Sequence, residues 1–228
     1  MVSIICSTIR QDFMENVFQN YENQVWKDKE LIIILNRDDI SINEWQKRAN
    51  LSRGVSIYQL PQEWTLGECL NFGIKKVSFD FIAKFDDDDY YAPNYLAQSM
   101  EYFNKTNADL VGKRTTYMYF EDKKILAIHK PGKENKFVNH GLKGATLIFK
   151  KSISEKVWFP KLNLGEDTFF IRQCIKNKFK VYSIGKDNYV CLRSSKPGHH
   201  TWNINNRFLL KKSSIVCETD DYKPFILG

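Results

Sequence analysis

Four aspartates stand side by side at Asp86, Asp87, Asp88 and Asp89 in a chain that is otherwise basic. Of its 228 residues, 34 are Lys or Arg and 27 are Asp or Glu, a formal net charge of +7. Carboxylates packed this closely oppose folding unless a cation or a basic partner meets them. The block follows the apolar run Phe81-Ile82-Ala83-Lys84-Phe85. Alternate residues of an extended segment point the same way, so Asp86 and Asp88 share a face. Together they present the hard oxygen ligands that Mg²⁺ or Mn²⁺ prefers. The competing reading is a solvated acidic turn with Asp89 capping the next helix, which leaves Asp86 to Asp88 without a task. A calcium EF-hand loop is excluded, because Tyr90 and Tyr91 stand where a ligand and the turn glycine belong.

A second acidic pair, Glu166-Asp167, opens a helix predicted over Glu166–Asn177. The helix dipole alone favours carboxylates there, and a carboxylate is also a general base, worth ~10²–10⁴-fold when positioned. Near the end of the chain His199 and His200 are adjacent, as metal ligands or as exposed loop residues. Cations that could meet an anion include Lys84, Lys113, Arg114, Arg193 and Lys196, with Lys84 equally able to counter the aspartates or to cover a sheet face. Trp64, Tyr117 and Trp202 offer ring faces to a sugar, or fill core and rim positions.

These residues need a frame. Val2–Cys6, Leu31–Leu35, Val55–Leu60 and Phe79–Phe85 read as buried strands, since continuous apolar, β-branched runs suit parallel sheets covered on both faces. Helices are predicted over Asp12–Gln24 and Leu66–Lys76, and from Pro93 to about Asn104. This βαβα rhythm implies a doubly wound, mostly parallel α/β sheet, in which ligands sit beyond the carboxyl ends of the strands. The aspartate block lies at such an end. The second half changes to short strands at Leu110–Gly112, Thr115–Phe120, Ile125–His129, Thr146–Phe149, Phe179–Ile184 and Tyr189–Leu192, with a helix around Ile204–Lys212. A smaller mixed or antiparallel C-terminal part follows from that pattern. No linker or repeat divides the chain, so one domain is expected over 1–228.

The longest aliphatic run, Leu31 to Leu35, is far short of the ~20 residues of a spanning helix. With no signal peptide ahead of Val2–Cys6, the chain reads as cytoplasmic. Five cysteines, odd in number and without a CxxC pair, argue against a disulfide framework or zinc site. Basic residues are spread along the chain instead of forming one stripe, which argues against a nucleic-acid partner. A sugar nucleotidyltransferase would want a Gly-rich loop after the first strand, and Ser7–Asp12 has no glycine.

The segment Ala83-Lys84-Phe85-Asp86-Asp87-Asp88-Asp89-Tyr90-Tyr91, with the strand Val2-Ser3-Ile4-Ile5, resembles the family 2 glycosyltransferases of GT-A fold. Four more resemblances follow in the family's order: Gly67-x-x-x-Asn71-x-Gly73, Gly144-Ala145-Thr146, Gly165-Glu166-Asp167 and Gly198-His199-His200-Thr201-Trp202, the last like the ending of a bacterial subgroup. The resemblance implies a metal-dependent, inverting transfer of a sugar from a nucleoside diphosphate, UDP by default, to a glycan or lipid-linked hydroxyl acceptor. Asp86 would touch the ribose or the metal's hydration shell, and Asp88 would bind Mn²⁺ or Mg²⁺, with His200 or else His199 as third ligand. Asp167 would be the base with Glu166 beside it. Thr8, Arg10, Asn36, Asp38, Asn71, Lys84 and Asp87 would serve the nucleotide, and Gly144 and Ala145 would lie beneath the donor sugar. Residues 1–105 would form the nucleotide-binding half and 106–228 the acceptor-binding half. Surface-glycan or spore-glycan synthesis at the inner face of a membrane is the implied setting.

Overall fold

The computed structural model describes residues 1–194 and 204–227. The first half lays down β1 (Val2–Thr8), α1 (Met14–Glu22), β2 (Lys29–Leu35), α2 (Ile42–Ala49), β3 (Val55–Gln59), α3 (Leu66–Lys76), β4 (Phe81–Phe85), β5 (Tyr90–Tyr91) and α4 (Tyr95–Thr106). Then come β6 (Leu110–Gly112), β7 (Thr116–Phe120), β8 (Ile125–His129), β9 (Lys136–Phe137), β10 (Ile148–Lys150) and α5 (Glu166–Lys176). The chain continues with β11 (Val181–Ser183), β12 (Tyr189–Arg193), α6 (Asn206–Lys211) and β13 (Ser213–Glu218).

An eight-stranded sheet runs β3-β2-β1-β4-β10-β6-β11-β9. Its first four strands are parallel, while β10 runs antiparallel to both β4 and β6. Strand order reverses at β1, with β2 on one side and β4 on the other, so the cleft opens beyond the ends of β1 and β4. That is where Thr8 and Asp86 emerge.

The apolar runs are continuous because both faces are covered. Ile4, Cys6, Leu31, Ile33, Ala83 and Phe85 pack on one face with Val17 and Phe18 of α1, Trp45 of α2 and Tyr95 of α4. Their neighbours Ile5, Ile32, Ile34 and Ile82 pack on the other with Leu70 and Ile74 of α3 and Phe170 and Ile171 of α5. A second sheet, β13-β8-β7-β12-β5, closes the first face beside α4. Among the described residues no helix is long and apolar enough to cross a membrane.

Several expected bounds shift. The helix expected from Pro93 begins at Tyr95 with Asn94 as its N-cap, and a single 3₁₀ turn, Gln11–Phe13, precedes α1. Four elements, α2, β5, β9 and β13, have no counterpart in the pattern read from the sequence.

Candidate active site

The turn after β4 is clamped by its main chain. The Asn16 side-chain amide donates to the carbonyls of Asp87 at 2.6 Å and Asp89 at 3.1 Å, and that of Asn20 to Asp89 at 2.9 Å. From the other side, the Asp86 N–H donates to the Tyr91 hydroxyl at 2.8 Å, which donates to the Ala145 carbonyl at 2.7 Å. The four carboxylates therefore leave a fixed backbone.

Each meets a different environment. Asp86 pairs with the Lys84 ammonium. Asp87 is buried, accepts from the Thr8 hydroxyl, and is gripped by the Arg10 guanidinium, whose Nε lies at 3.0 Å. Burial raises the Asp87 carboxyl above the usual range while Arg10 opposes the shift. The same guanidinium reaches Asp88 Oδ2 at 3.3 Å. Asp89 is buried too, accepting from the Tyr189 hydroxyl and from the Leu192 N–H at 3.3 Å. Burial pushes it up to about 7. Asp89 is thus an internal acceptor and not a helix cap, a place Asn94 takes.

Asp86, Asp88 and Asp89 each offer an oxygen within 4.8 Å of the others. An all-oxygen set of this kind fits Mg²⁺ or Mn²⁺. Asp89 is buried and accepts from Tyr189 and Leu192, whereas Asp86 and Asp88 are only half-buried, so these two are the residues that would hold such an ion. His199 and His200 lie outside the described residues.

The second acidic pair comes to the same place through β4. Strand alternation puts Lys84 on the face of Ile82, the one α5 covers. Burial opposes the charge on Lys84, yet Asp86, Glu166 and Asp167 together raise its ammonium above the ordinary range. Glu166 is buried, and burial pushes it up to about 7, with Lys84 opposing and Asp167 adding. Asp167 accepts from the Thr168 N–H at 2.5 Å and lies against Gly144, where a Cβ would stand 2.8 Å from its carboxyl carbon. Neighbouring carboxylates in unlike surroundings divide acid from base, with Glu166 the one inclined to keep a proton.

The residues expected around a nucleotide divide. Ile9, Asn36 and Arg37 line a cavity of about 380 Å³ with Gln62 and Glu63, beyond the ends of β1 and β2. Asn36 donates to the Pro61 carbonyl at 2.7 Å, which fixes its side chain at that rim. Asp38 is exposed and accepts from the Gln62 N–H at 3.3 Å, and Arg37 pairs with Asp39 at 2.6 Å. Thr8, Arg10 and Asp87 form one network beside the aspartates, with Ala145 and Gly144 buried on the opposite side.

Asn71 has a different task from the one expected. Its amide donates to the Phe159 carbonyl at 2.8 Å and its oxygen accepts from the Phe159 N–H at 3.0 Å, stapling α3 to the segment before α5. Lys113 is likewise turned inward, donating to Gln98 at 3.0 Å and to the Gly185 carbonyl, so it faces no ligand. Arg193 donates to Asn206 at 3.0 Å and to the Ile204 carbonyl at 2.9 Å. Trp64 packs edge-on to Phe72, and Tyr117 is buried among the strands of the second sheet. Tyr91, Tyr189, Asn16 and Asn20 are invisible as site residues in the sequence, because each acts through side-chain polar atoms that reach across the fold.

The architecture is the GT-A fold. It superposes with a TM-score of 0.68 on S. aureus TarS 1-349 in complex with UDP-GlcNAc, at 14% identity, over 90% of this chain and 61% of that one. The mannosyltransferase PcManGT from Pyrobaculum calidifontis, in complex with GDP-Man and Mn²⁺, superposes at 0.65 and 15% identity over 92% of this chain and 62% of that one. Residues 3–160 match the sequence pattern of Glycosyl transferase family 2, and the chain belongs to that family. Over 156 residues it is 29% identical to the O-antigen biosynthesis glycosyltransferase WbnJ of Escherichia coli, covering 66% of this chain and 57% of that protein. The chain thus spans about three fifths of the length of these relatives.

Proposed function

We propose that the chain is a metal-dependent, inverting glycosyltransferase, moving a sugar from a nucleoside diphosphate to a hydroxyl of a cell-surface glycan or a lipid-linked precursor. The observation that carries this is the convergence on Lys84 of Asp86 from the end of β4 and of Glu166 and Asp167 from the start of α5. It unites the groups for the two difficulties of the reaction, a departing diphosphate and an acceptor proton.

In this reading Asp167 takes the proton of the acceptor hydroxyl as its oxygen attacks the anomeric carbon and the bond from that carbon to the diphosphate oxygen breaks. Gly144 leaves the room in which the Asp167 carboxylate stands. Glu166, inclined to keep its proton near neutrality, orients the acceptor beside it. Asp86 and Asp88 would hold Mn²⁺ or Mg²⁺, which when bound supplies neutralising charge for the leaving diphosphate. The cavity lined by Ile9, Asn36 and Arg37 takes the base, with UDP as the default donor nucleotide. Residues 1–105 carry the donor and 106–228 the acceptor, at the cytoplasmic face of a membrane.

The test is release of nucleoside diphosphate from a panel of UDP- and GDP-sugars with Mn²⁺ and no acceptor. Turnover is expected from the unaltered chain and not from Asp88→Asn. Full turnover by Asp88→Asn would overturn the metal assignment, and acceptor transfer by Asp167→Asn at the unaltered rate would overturn the base.

A further inference from the structure

Cations from four segments gather at one rim of the second sheet, and the strand register shows how. His129, ending β8, pairs with Thr116 of β7 on one side and with Ser213 of β13 on the other. Just past the ladder, Lys130 follows His129 at a positive φ and Lys212 precedes Ser213, and the Thr115 hydroxyl donates to the Lys130 carbonyl at 2.7 Å. Arg114 precedes Thr115 on that edge, and Lys143 enters beside it, its N–H donating to the Lys113 carbonyl at 2.8 Å. Like charges facing each other across strands destabilise a sheet. Of the nearby carboxylates, Glu134 accepts from the Thr115 hydroxyl at 2.5 Å and Asp187 pairs with Lys186 at 3.4 Å, while Asp89 and Asp86 face Lys143 and raise its ammonium above the ordinary range against burial.

The mutual repulsion is felt by the groups themselves. Burial lowers the Lys130 ammonium from its ordinary value, and Arg114, Lys143 and Lys212 lower it further. His129 is pushed down to about 4 by burial and then by Lys130, Lys143 and Lys212. A rim that keeps several cations together is arranged for an anion with several oxygens. It also adjoins the reacting groups, because Lys143 directly precedes Gly144, against which Asp167 stands. The cavity suited to a nucleotide base lies instead at the ends of β1 and β2.

We infer that Arg114, Lys130 and Lys212 form a binding site for a phosphate or phosphodiester group of the acceptor, which makes the acceptor a phosphorylated glycan, polyol or lipid. The word acceptor rests on the glycosyltransferase reading above; the phosphate site does not.

The experiment titrates inorganic phosphate into the full chain saturated with UDP and Mg²⁺, by calorimetry, beside the double variant Lys130→Gln/Lys212→Gln. Phosphate is expected to bind with UDP still in place, and about tenfold more weakly in the double variant, with UDP affinity changed less than about twofold. Competition between phosphate and UDP, or a parallel loss of UDP affinity in the variant, would assign the cations to the donor and overturn the proposal. Equal phosphate affinity in both proteins would overturn it as well. A chain that binds neither UDP nor GDP would defeat the glycosyltransferase reading alone, and phosphate titrated into the nucleotide-free proteins would then decide the rim by the same comparison.

Discussion

Gly144 and Asp167 touch through the side chain that glycine lacks: a Cβ there would stand 2.8 Å from the Asp167 carboxyl carbon and closer still to one oxygen. Gly144→Ala must therefore turn the carboxylate aside. The carboxylate can turn aside, but the Asp167 Cβ, 2.9 Å from the added methyl, moves only with the start of α5, so the base is displaced at some cost in stability. The expected result is a fall of about 10²-fold in transfer rate, the scale of a displacement of about 1 Å, with nucleotide affinity nearly unchanged and the melting temperature somewhat lowered. Transfer kinetics beside a UDP titration check this. A normal rate would mean that Asp167 does not act from this position.

Gly67 presents the opposite case. A Cβ there would lie 2.9 Å from the Pro160 carbonyl carbon and closer still to its oxygen, and the obstacle is backbone. The contact is reinforced by the Gly67 N–H donating to the Leu162 carbonyl at 3.1 Å and the Leu66 N–H to Asn163 at 2.8 Å. Gly67→Ala has to part α3 from the segment leading to α5. A loss of about 1–3 kcal/mol is expected, seen as a melting temperature lower by several degrees. A melting temperature equal to that of the unaltered chain would refute the close approach.

Arg10 joins two neighbouring aspartates, and its removal should cost more than its exposure suggests. Arg10→Met leaves the buried Asp87 carboxylate with the Thr8 hydroxyl but without its cation. Breaking a buried pair from one side costs about 3 kcal/mol or more. Arg10→Met/Asp87→Asn removes the stranded charge and is expected to recover much of that loss in urea unfolding. If the double variant is as unstable as the single one, Arg10 stabilises through packing on Phe13 and not through Asp87.

How far the sequence announces this fold depends on burial. Leu66–Lys76 and Ile125–His129 coincide with their expected bounds because their apolar spacing is set by a core on a defined face. In α2 Trp45 alone is buried, so no helical stripe exists to be read. Strand β13 sits at a sheet edge with Ile215 and Val216 exposed, and β5 has two residues. At the site, the carboxylate pairs were visible as local chemistry. The diversion of Asp87 to Thr8 and Arg10, and the placing of Lys84 between β4 and α5, depend on contacts spanning 77 residues or more. Lys113 looked like an anion ligand in the sequence, and burial gives it another character.

That character is testable through pH. Lys113 is fully buried, and its ammonium donates to two uncharged partners, Gln98 and the Gly185 carbonyl. Burial pushes it down to about 7 from an ordinary value of 10.5. Between those values the unfolded chain binds more protons than the folded one, so this group makes stability rise with pH. Below about 7 both states carry the proton and its contribution is flat. Lys113→Met has no such proton, so the stability of the unaltered chain relative to the variant should be constant in mild acid and climb from about pH 7 toward pH 9.5. Urea midpoints of the two proteins across that range measure the difference and cancel the other titrating groups. A difference independent of pH would mean that Lys113 keeps its charge inside the fold, and that Gln98, Gly185 and the more distant Asp187 suffice to hold it there.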